Sequence, residues 1–346
     1  MEANGKIDGQ DSFHRIHDNE LHHEGAYQKL GVEDMVRQIK ETADKLVLDH
    51  ATRGDVKLLS TAMKELRYCF KVFSAFREHR KVTVFGSART KPDNPSYKQA
   101  VEFGRRMAKE GFMVITGAAQ GIMEAGHVGA GRDMSVGVNI LLPFEQEANS
   151  IIHGDKKLMH LKYFFTRKLL FVKEAAAVVL FPGGFGTLDE GFEALTLVQT
   201  GKSHLFPIVL VDEPGGDYWK QFQVFIGRCL RDRGMISPED MSLFKVTDSV
   251  DEAAAEVLNF YRVYHSMRYV DGELVLRLQH DLSDKTLARI RKDFAGIVEQ
   301  GTFEQGPALP QEQNETQILH LPRLRFRFDR RSLGRLRQLI DVINRE

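Results

Sequence analysis

Three glycines crowd four consecutive positions in Pro182-Gly183-Gly184-Phe185-Gly186-Thr187-Leu188-Asp189-Glu190, between an apolar run ending at Phe181 and a helical pattern running to Thr200. Glycines at a strand-to-helix junction let the backbone approach an anion closely. The free N–H groups and the dipole of the following helix then hold a phosphate. Gly183, Gly184 and Gly186 are thus candidate phosphate-cradling positions, and the Thr187 hydroxyl adds a donor. The bland reading is a tight turn in which Asp189 and Glu190 merely complement the helix dipole. A lone glycine turn would favour it; this combination favours binding.

Two better-known phosphate motifs are absent. Gly201-Lys202-Ser203 imitates the end of a P-loop, but Thr196 stands where the upstream glycine is required, and Gly201 reads as a helix C-cap. After the first strand the text is Gly86-Ser87-Ala88-Arg89, not G-x-G-x-x-G, which disfavours a nicotinamide dehydrogenase.

The elements that must position this loop are legible from periodicity. Between 32 and 76, Met35, Ile39, Ala43 and Leu46, then Leu58, Ala62, Leu66, Phe70 and Phe73, recur at helical spacing, with Gly54 expected between two helices. Short apolar strands follow at Val82–Phe85, Phe112–Thr116, Ser135–Leu141, Ala176–Phe181 and Pro207–Val211. Helices are expected over Ser96–Glu110, Ile122–Arg132, Phe164–Glu174 and Asp248–Tyr264. Apolar strands without polar alternation, separated by helices, indicate a parallel sheet wound on both faces, whose sites lie beyond the carboxyl ends of the strands. Beyond this core, Leu274–Leu278 and Leu324–Phe328 read as strands, Ser283–Val298 and Ser332–Asn344 as helices, and Gly301–Thr316 as a loop.

The expected organisation is a loose tail over 1–27, a helical N-terminal segment over 28–80, a Rossmann-like catalytic domain over 81–265 and a small α+β appendage over 266–346, dispensable for folding. The arginines Arg323, Arg325, Arg327, Arg330, Arg331, Arg335 and Arg337 form a basic stretch, and along Leu324–Phe328 they alternate with apolar residues. They read as a solvated face or, more sharply, as a site for an anionic regulator.

Composition sets bounds. The chain has 346 residues and matched counts of 48 basic and 48 acidic side chains, which argues against nucleic-acid binding driven by net charge. Its longest apolar run, Ala175–Phe181, is far short of the ~20 residues a membrane helix needs, and the first residues lack a signal-peptide core. Cys69 and Cys229 are too few and too far apart for a disulfide framework or a cysteine zinc site. The tail histidines His14, His17, His22 and His23 sit in no pattern that fixes a metal geometry. His127, His160, Tyr218 and Trp219 read as packing or surface residues. A cytoplasmic globular enzyme is the expectation.

The segment Pro182–Glu190 resembles the PGGxGTxxE motif of the Lonely Guy (LOG) family of nucleoside 5′-monophosphate phosphoribohydrolases, whose relatives are often labelled lysine decarboxylase. Thr166-Arg167-Lys168 is similar to that family's Arg-Lys pair, Val84–Ser87 to its first strand and turn, and Gly117–Ala130 to its second glycine loop. The resemblance spans roughly Lys81–Tyr264. It implies a catalytic pair, Arg167 and Glu190, with substrate contacts from Gly86, Ser87, Gly117, Gly121, Glu124, Lys168 and Glu193 besides the PGG loop. It also implies hydrolysis of the N-glycosidic bond without metal or organic cofactor, and a homodimer packed through the PGG-side helices. Glu190 would stabilise oxocarbenium charge on the ribose and activate water, and Arg167 would offer paired donors to phosphate or ribose oxygens. The family's GGG is replaced by Gly117-Ala118-Ala119-Gln120, and the added methyl groups are expected to narrow the approach of a nucleotide. A non-catalytic nucleotide-binding or sensing protein of the same fold is the rival reading; it would need the glycine loop but not the acid.

Overall fold

A computed structural model describes residues 31–140 and 148–346. The tail histidines and Leu141 lie outside the described residues. Contacts divide the chain into two compact units, one up to Met63 and one from Lys64 onward. The first contains helix α1 (Val32–Leu48), which has no buried residue, and the start of α2 (Arg53–Ser74). Gly54 is not the break between these helices but lies in the first turn of α2; the break is at 49–52.

The second unit is built on a seven-stranded parallel sheet, β1 (Lys81–Phe85), β2 (Met113–Thr116), β3 (Ser135–Ile140), β4 (Leu158–Leu161), β5 (Ala177–Leu180), β6 (Ile208–Val211) and β7 (Phe244–Thr247). Its strand order is β4-β3-β2-β1-β5-β6-β7. The interleaved helices are α3 (Pro95–Lys109), α4 (Ile122–Ala130), α5 (Phe164–Lys173), α6 (Phe185–Gln199), α7 (Tyr218–Phe225) and α8 (Val250–Phe260). Strand residues are buried on both faces, as an all-apolar strand requires. Val82, Val84, Val114, Val179 and Val209 meet α3, α4 and α8 on one face. Their alternates Phe85, Ile115, Val178 and Leu210 meet Phe171, Val198 and Trp219 on the other. The doubly wound, Rossmann-like α/β architecture read from the sequence is the observed one.

Sequence periodicity passed over β4 and β7, and it placed the helix α8 too long. The chain leaves α8 at Phe260 and enters a second, antiparallel sheet at β8 (Tyr264–Val270), so a boundary at 265/266 falls inside a strand. That sheet has the order β10-β11-β9-β8, with β9 (Glu273–Leu278), β10 (Val298–Gly306) and β11 (Arg323–Phe328). β10 occupies the end of the expected helix and the start of the expected loop; the helix there, α9 (Asp284–Asp293), is shorter than expected.

The C-terminal segment packs against the core of the parallel sheet. Its helix α10 (Leu333–Ile343) and strands place Leu276, Phe326, Leu336 and Ile340 in the same apolar cluster as Ile208 and Leu210 of the parallel sheet. Asn344 accepts from the backbone N–H groups of Val263 and Tyr264 and donates to Phe260 O. Gly334 lies so close to the backbone of Glu239 and Asp240 that a Cβ would fall 2.8 Å from Asp240 N.

The arginine ladder is also not a vacant anion site. Arg323 is fully buried, donating through Nε to Glu312 Oε2 at 3.0 Å, and Arg277 reaches the other oxygen of the same carboxylate at 2.8 Å. Arg325 pairs with Glu273 and Glu304, and Arg327 with Glu299. Each of these cations already has a carboxylate partner.

Candidate functional site

The chain order runs outward from β1 to β4 on one side and from β5 to β7 on the other, so the crossover direction reverses between β1 and β5. Two diverging loops leave a crevice at such a switch point, beyond the carboxyl ends of the strands. A cavity of about 810 Å³ opens there, walled by the loops after β1, β2 and β5, by the end of β3 and by α5 and α6.

The two central loops are stitched together. Ser87 N donates to Pro182 O at 3.1 Å, and Ile122 N donates to Ser87 O at 3.1 Å, so the turns after β1, β2 and β5 share one scaffold. Several glycines are imposed by this closeness. A Cβ on Gly183 would fall 3.0 Å from Ser87 N and 2.7 Å from Thr187 Cβ, and one on Gly86 would fall 2.6 Å from Ile122. Gly121 has φ +68° and abuts the backbone of Ser87 and Ala88. Gly184 and Gly186 differ: both have open space where a Cβ would be, and neither has a positive φ. Nothing in packing or backbone geometry requires glycine there. Both line the cavity, at the N-terminus of α6, where unpaired backbone N–H groups point outward. The Tyr218 hydroxyl braces the loop from behind, donating to Gly183 O at 2.7 Å.

Arg167 rides on α5, which Glu65 of α2 fixes in place. One Glu65 oxygen accepts from Lys162 N at 2.7 Å and the other from the Thr166 hydroxyl at 2.8 Å. The Arg167 guanidinium stacks over Phe164 at 4.9 Å and Phe171 at 5.6 Å, and all three residues face the cavity. Glu190, one turn into α6, is 5% exposed and also reaches the cavity. Burial pushes its carboxyl above the usual range, while Lys168 and Arg167 pull it back. Among the described residues, the charged side chains lining the cavity are Arg89, Arg167 and Glu190.

Of the residues named from sequence, Gly86, Ser87, Gly117, Arg167, Gly183, Gly184, Gly186, Thr187 and Glu190 meet in this cavity. Gly121, Glu124, Lys168 and Glu193 do not line it. Gly121 serves backbone geometry. Glu124 is within 3.5 Å of the Tyr97 hydroxyl, and Lys168 and Glu193 form an ion pair at 2.8 Å. His127 is fully buried between Thr116, Val136 and Asn149, and His160 is exposed on β4, so neither flanks the cavity. Trp219 is buried, as packing requires.

Arg89 and Asn139 were not singled out from sequence. Asn139 is a polar residue near the carboxyl end of the buried strand β3, and that was the available signal. Ala118 corrects the expectation of a narrowed loop. It takes φ +60° and turns its methyl toward Gly137, among Ala148, Ile152 and Leu158. Only Ala119 and Gly117 present the loop to the cavity.

Fold and site together define a doubly wound α/β protein with a glycine-rich loop and a buried acid at its switch point. Comparison with known proteins narrows this. A family model described as "Possible lysine decarboxylase" matches residues 115–257. The cytokinin riboside 5′-monophosphate phosphoribohydrolase LOG7 of Arabidopsis thaliana is 31% identical over 169 residues, 46% of this chain and 72% of that protein. The phosphoribohydrolase of the same name from Mycobacterium tuberculosis is 30% identical over 159 residues, 44% of this chain and 81% of that protein. The solved molybdenum cofactor carrier protein of Chlamydomonas reinhardtii shares 20% identity, with a TM-score of 0.36, over 52% of this chain and 96% of that one. The chain belongs to the Lonely Guy (LOG) family.

Proposed function

We propose that this protein hydrolyses the N-glycosidic bond of a nucleoside 5′-monophosphate, giving the free base and ribose 5-phosphate. The observation that carries this is the convergence, in one cavity, of the glycine-lined N-terminus of α6, the guanidinium of Arg167 and the buried carboxylate of Glu190. The 5′-phosphate sits on the backbone N–H groups at Gly184–Gly186, beside the Thr187 hydroxyl; the Thr187 N–H itself is donated to Gly184 O. That places the ribose near Glu190, one turn further along the helix. As the bond between C1′ and the base nitrogen breaks, positive charge develops on the ribose. The Glu190 carboxylate stabilises that charge and accepts a proton from the attacking water, whose oxygen bonds to C1′ while the base leaves with the bonding electrons and takes up a proton. Arg167 holds phosphate or ribose oxygens with paired donors.

The names of the related phosphoribohydrolases support this reading. The cytokinin-ribotide form of the substrate and a general nucleotide form share the same phosphate and ribose. A homodimer belongs to the same proposal, with Phe165 and Leu169 of α5 and Phe192 of α6 as the exposed apolar face a second copy would cover; a monomer in sedimentation at working concentrations removes that part. The rival, a sensor that binds without turnover, drew its support from the two alanines in the second loop; the buried methyl of Ala118 withdraws half of it.

The test is base release from a panel of nucleoside monophosphates and their nucleosides, together with the Glu190→Gln variant. At least one monophosphate should turn over and its nucleoside hardly at all. Glu190→Gln should lower kcat by ~10²–10³ while leaving the Kd for monophosphate within a few-fold. Equal kcat/KM for nucleotide and nucleoside, or full activity in the Gln variant, would overturn the mechanism.

A further inference from the structure

Lys168 neighbours Arg167 in sequence yet lies outside the cavity. Its Nζ is 2.8 Å from Asp189 Oδ2, 2.8 Å from Glu193 Oε2 and 3.5 Å from Glu190 Oε2. These three carboxylates belong to the first turns of α6, and only Glu190 among them reaches the cavity. We propose that Lys168 is a positioning residue for the reaction: its ammonium gathers these carboxylates, keeps Glu190 ionised and aimed into the cavity, and never touches the nucleotide. The inference rests on the hydrolytic reading above.

Arg167 and Lys168, adjacent on α5, have different duties. Arg167 is stacked on Phe164 and Phe171 and faces the cavity, so a bound anion shares its charge. Lys168 is clamped between Asp189 and Glu193 and is 16% exposed, so its charge stays committed to α6 whether or not the cavity is filled. Without it, Glu190 would be a buried acid beside Asp189 on its own helix, and desolvation and like charge would both favour the protonated form. Burial already pushes Glu190 upward, and among its neighbours Lys168 gives the leading opposing pull, ahead of Arg167. A protonated Glu190 can neither stabilise an oxocarbenium ion nor take a proton from water.

The experiment compares the full chain with Lys168→Met, Lys168→Gln and Lys168→Arg, measuring the pH profile of kcat on the four common nucleoside monophosphates. Ribose 5-phosphate binding is measured by calorimetry. The acid limb of kcat should move up by about one pH unit or more in the Met and Gln variants, with activity recovering toward alkaline pH. Lys168→Arg should restore the limb, and the ribose 5-phosphate Kd should stay within about twofold throughout. Carbon-13 NMR of labelled glutamate, assigned with Glu190→Gln, reads the Glu190 titration without turnover. An unmoved Glu190 titration in the neutral variants overturns the inference. So does a tenfold weaker Kd with an unmoved acid limb, which would make Lys168 a ligand contact. If the unaltered chain releases no base from any of the four nucleotides, the hydrolytic reading fails, and the NMR titration still decides whether Lys168 keeps Glu190 ionised.

Discussion

At the scale of single residues, the glycines of the PGG loop divide into those the scaffold demands and those it does not. Gly183 lies against Ser87 N and Thr187, so an added methyl group must push the backbone or Thr187 aside. Gly183→Ala is expected to cost about 1–3 kcal/mol of stability by overpacking. Gly184 and Gly186 face open space at negative φ. Gly184→Ala should leave stability within about 0.5 kcal/mol, and Gly186→Ala should raise it by up to about 1 kcal/mol, because alanine favours the helix. Both substitutions put a methyl group where an anion would sit, so both should weaken nucleotide binding by tenfold or more. Denaturant midpoints set beside calorimetric Kd values decide the matter. Unchanged binding in both variants would mean that these glycines do not line the anion site.

At the scale of elements, the loop after β2 depends on a buried polar network. Asn149 donates through Nδ2 to Ala118 O and Ala119 O at 3.0 and 3.1 Å, and its side chain meets His127 Nδ1. Burial drives the His127 imidazole down from 6.5 to about 4. Its folded value is thus below its unfolded one, and the unfolded chain binds more protons between those two pH values. The resulting stability is complete above pH ~6.5 and is lost as pH falls toward ~4, by about 3 kcal/mol at most. Urea unfolding should show this slope between pH 6.5 and 4, and His127→Gln should flatten it. An equal slope in the variant would place the acid sensitivity elsewhere.

Which elements were legible follows the same physics. Strands β1, β2, β3, β5 and β6 are buried along their whole length and rich in Val, Ile and Leu, and a buried parallel strand writes that pattern directly. In β4 and β7 a histidine or a lysine breaks the run, because these strands form the sheet's edges. β8 carries partly exposed polar residues along its length, and the apolar helix pattern of α8 runs into it without a break. At the site, the glycine loop and Glu190 were readable because they lie on one short segment. Arg89 and Asn139 were not, since only the sheet order brings them to the same cavity.

At the scale of the whole molecule, the C-terminal segment is part of the fold. Leu336, Ile340 and Phe326 are in one cluster with the parallel sheet, and Asn344 secures the backbone where α8 passes into β8. A chain truncated at His265 would end inside β8, remove its pairing partner β9 and uncover this apolar surface. A far larger share of the truncated chain than of the full chain is expected in the insoluble fraction on expression. A soluble, cooperatively unfolding truncation would show that the parallel sheet carries its own sufficient core.

The brace behind the glycine loop has one more consequence. Tyr218 holds Gly183 through its hydroxyl, and the next residue, Trp219, is the chain's single tryptophan, 1% exposed and edge-on to the Tyr218 ring at 4.7 Å. The Trp219 backbone N–H donates to Asp212 Oδ2 at 2.9 Å, just beyond the end of β6. Evolution has thereby placed a lone fluorophore, shielded from water, one residue away from the group that steadies the anion loop. Light absorbed at the red edge of the protein's spectrum is emitted from that one spot, and the molecule comes already labelled at the place a spectroscopist would choose.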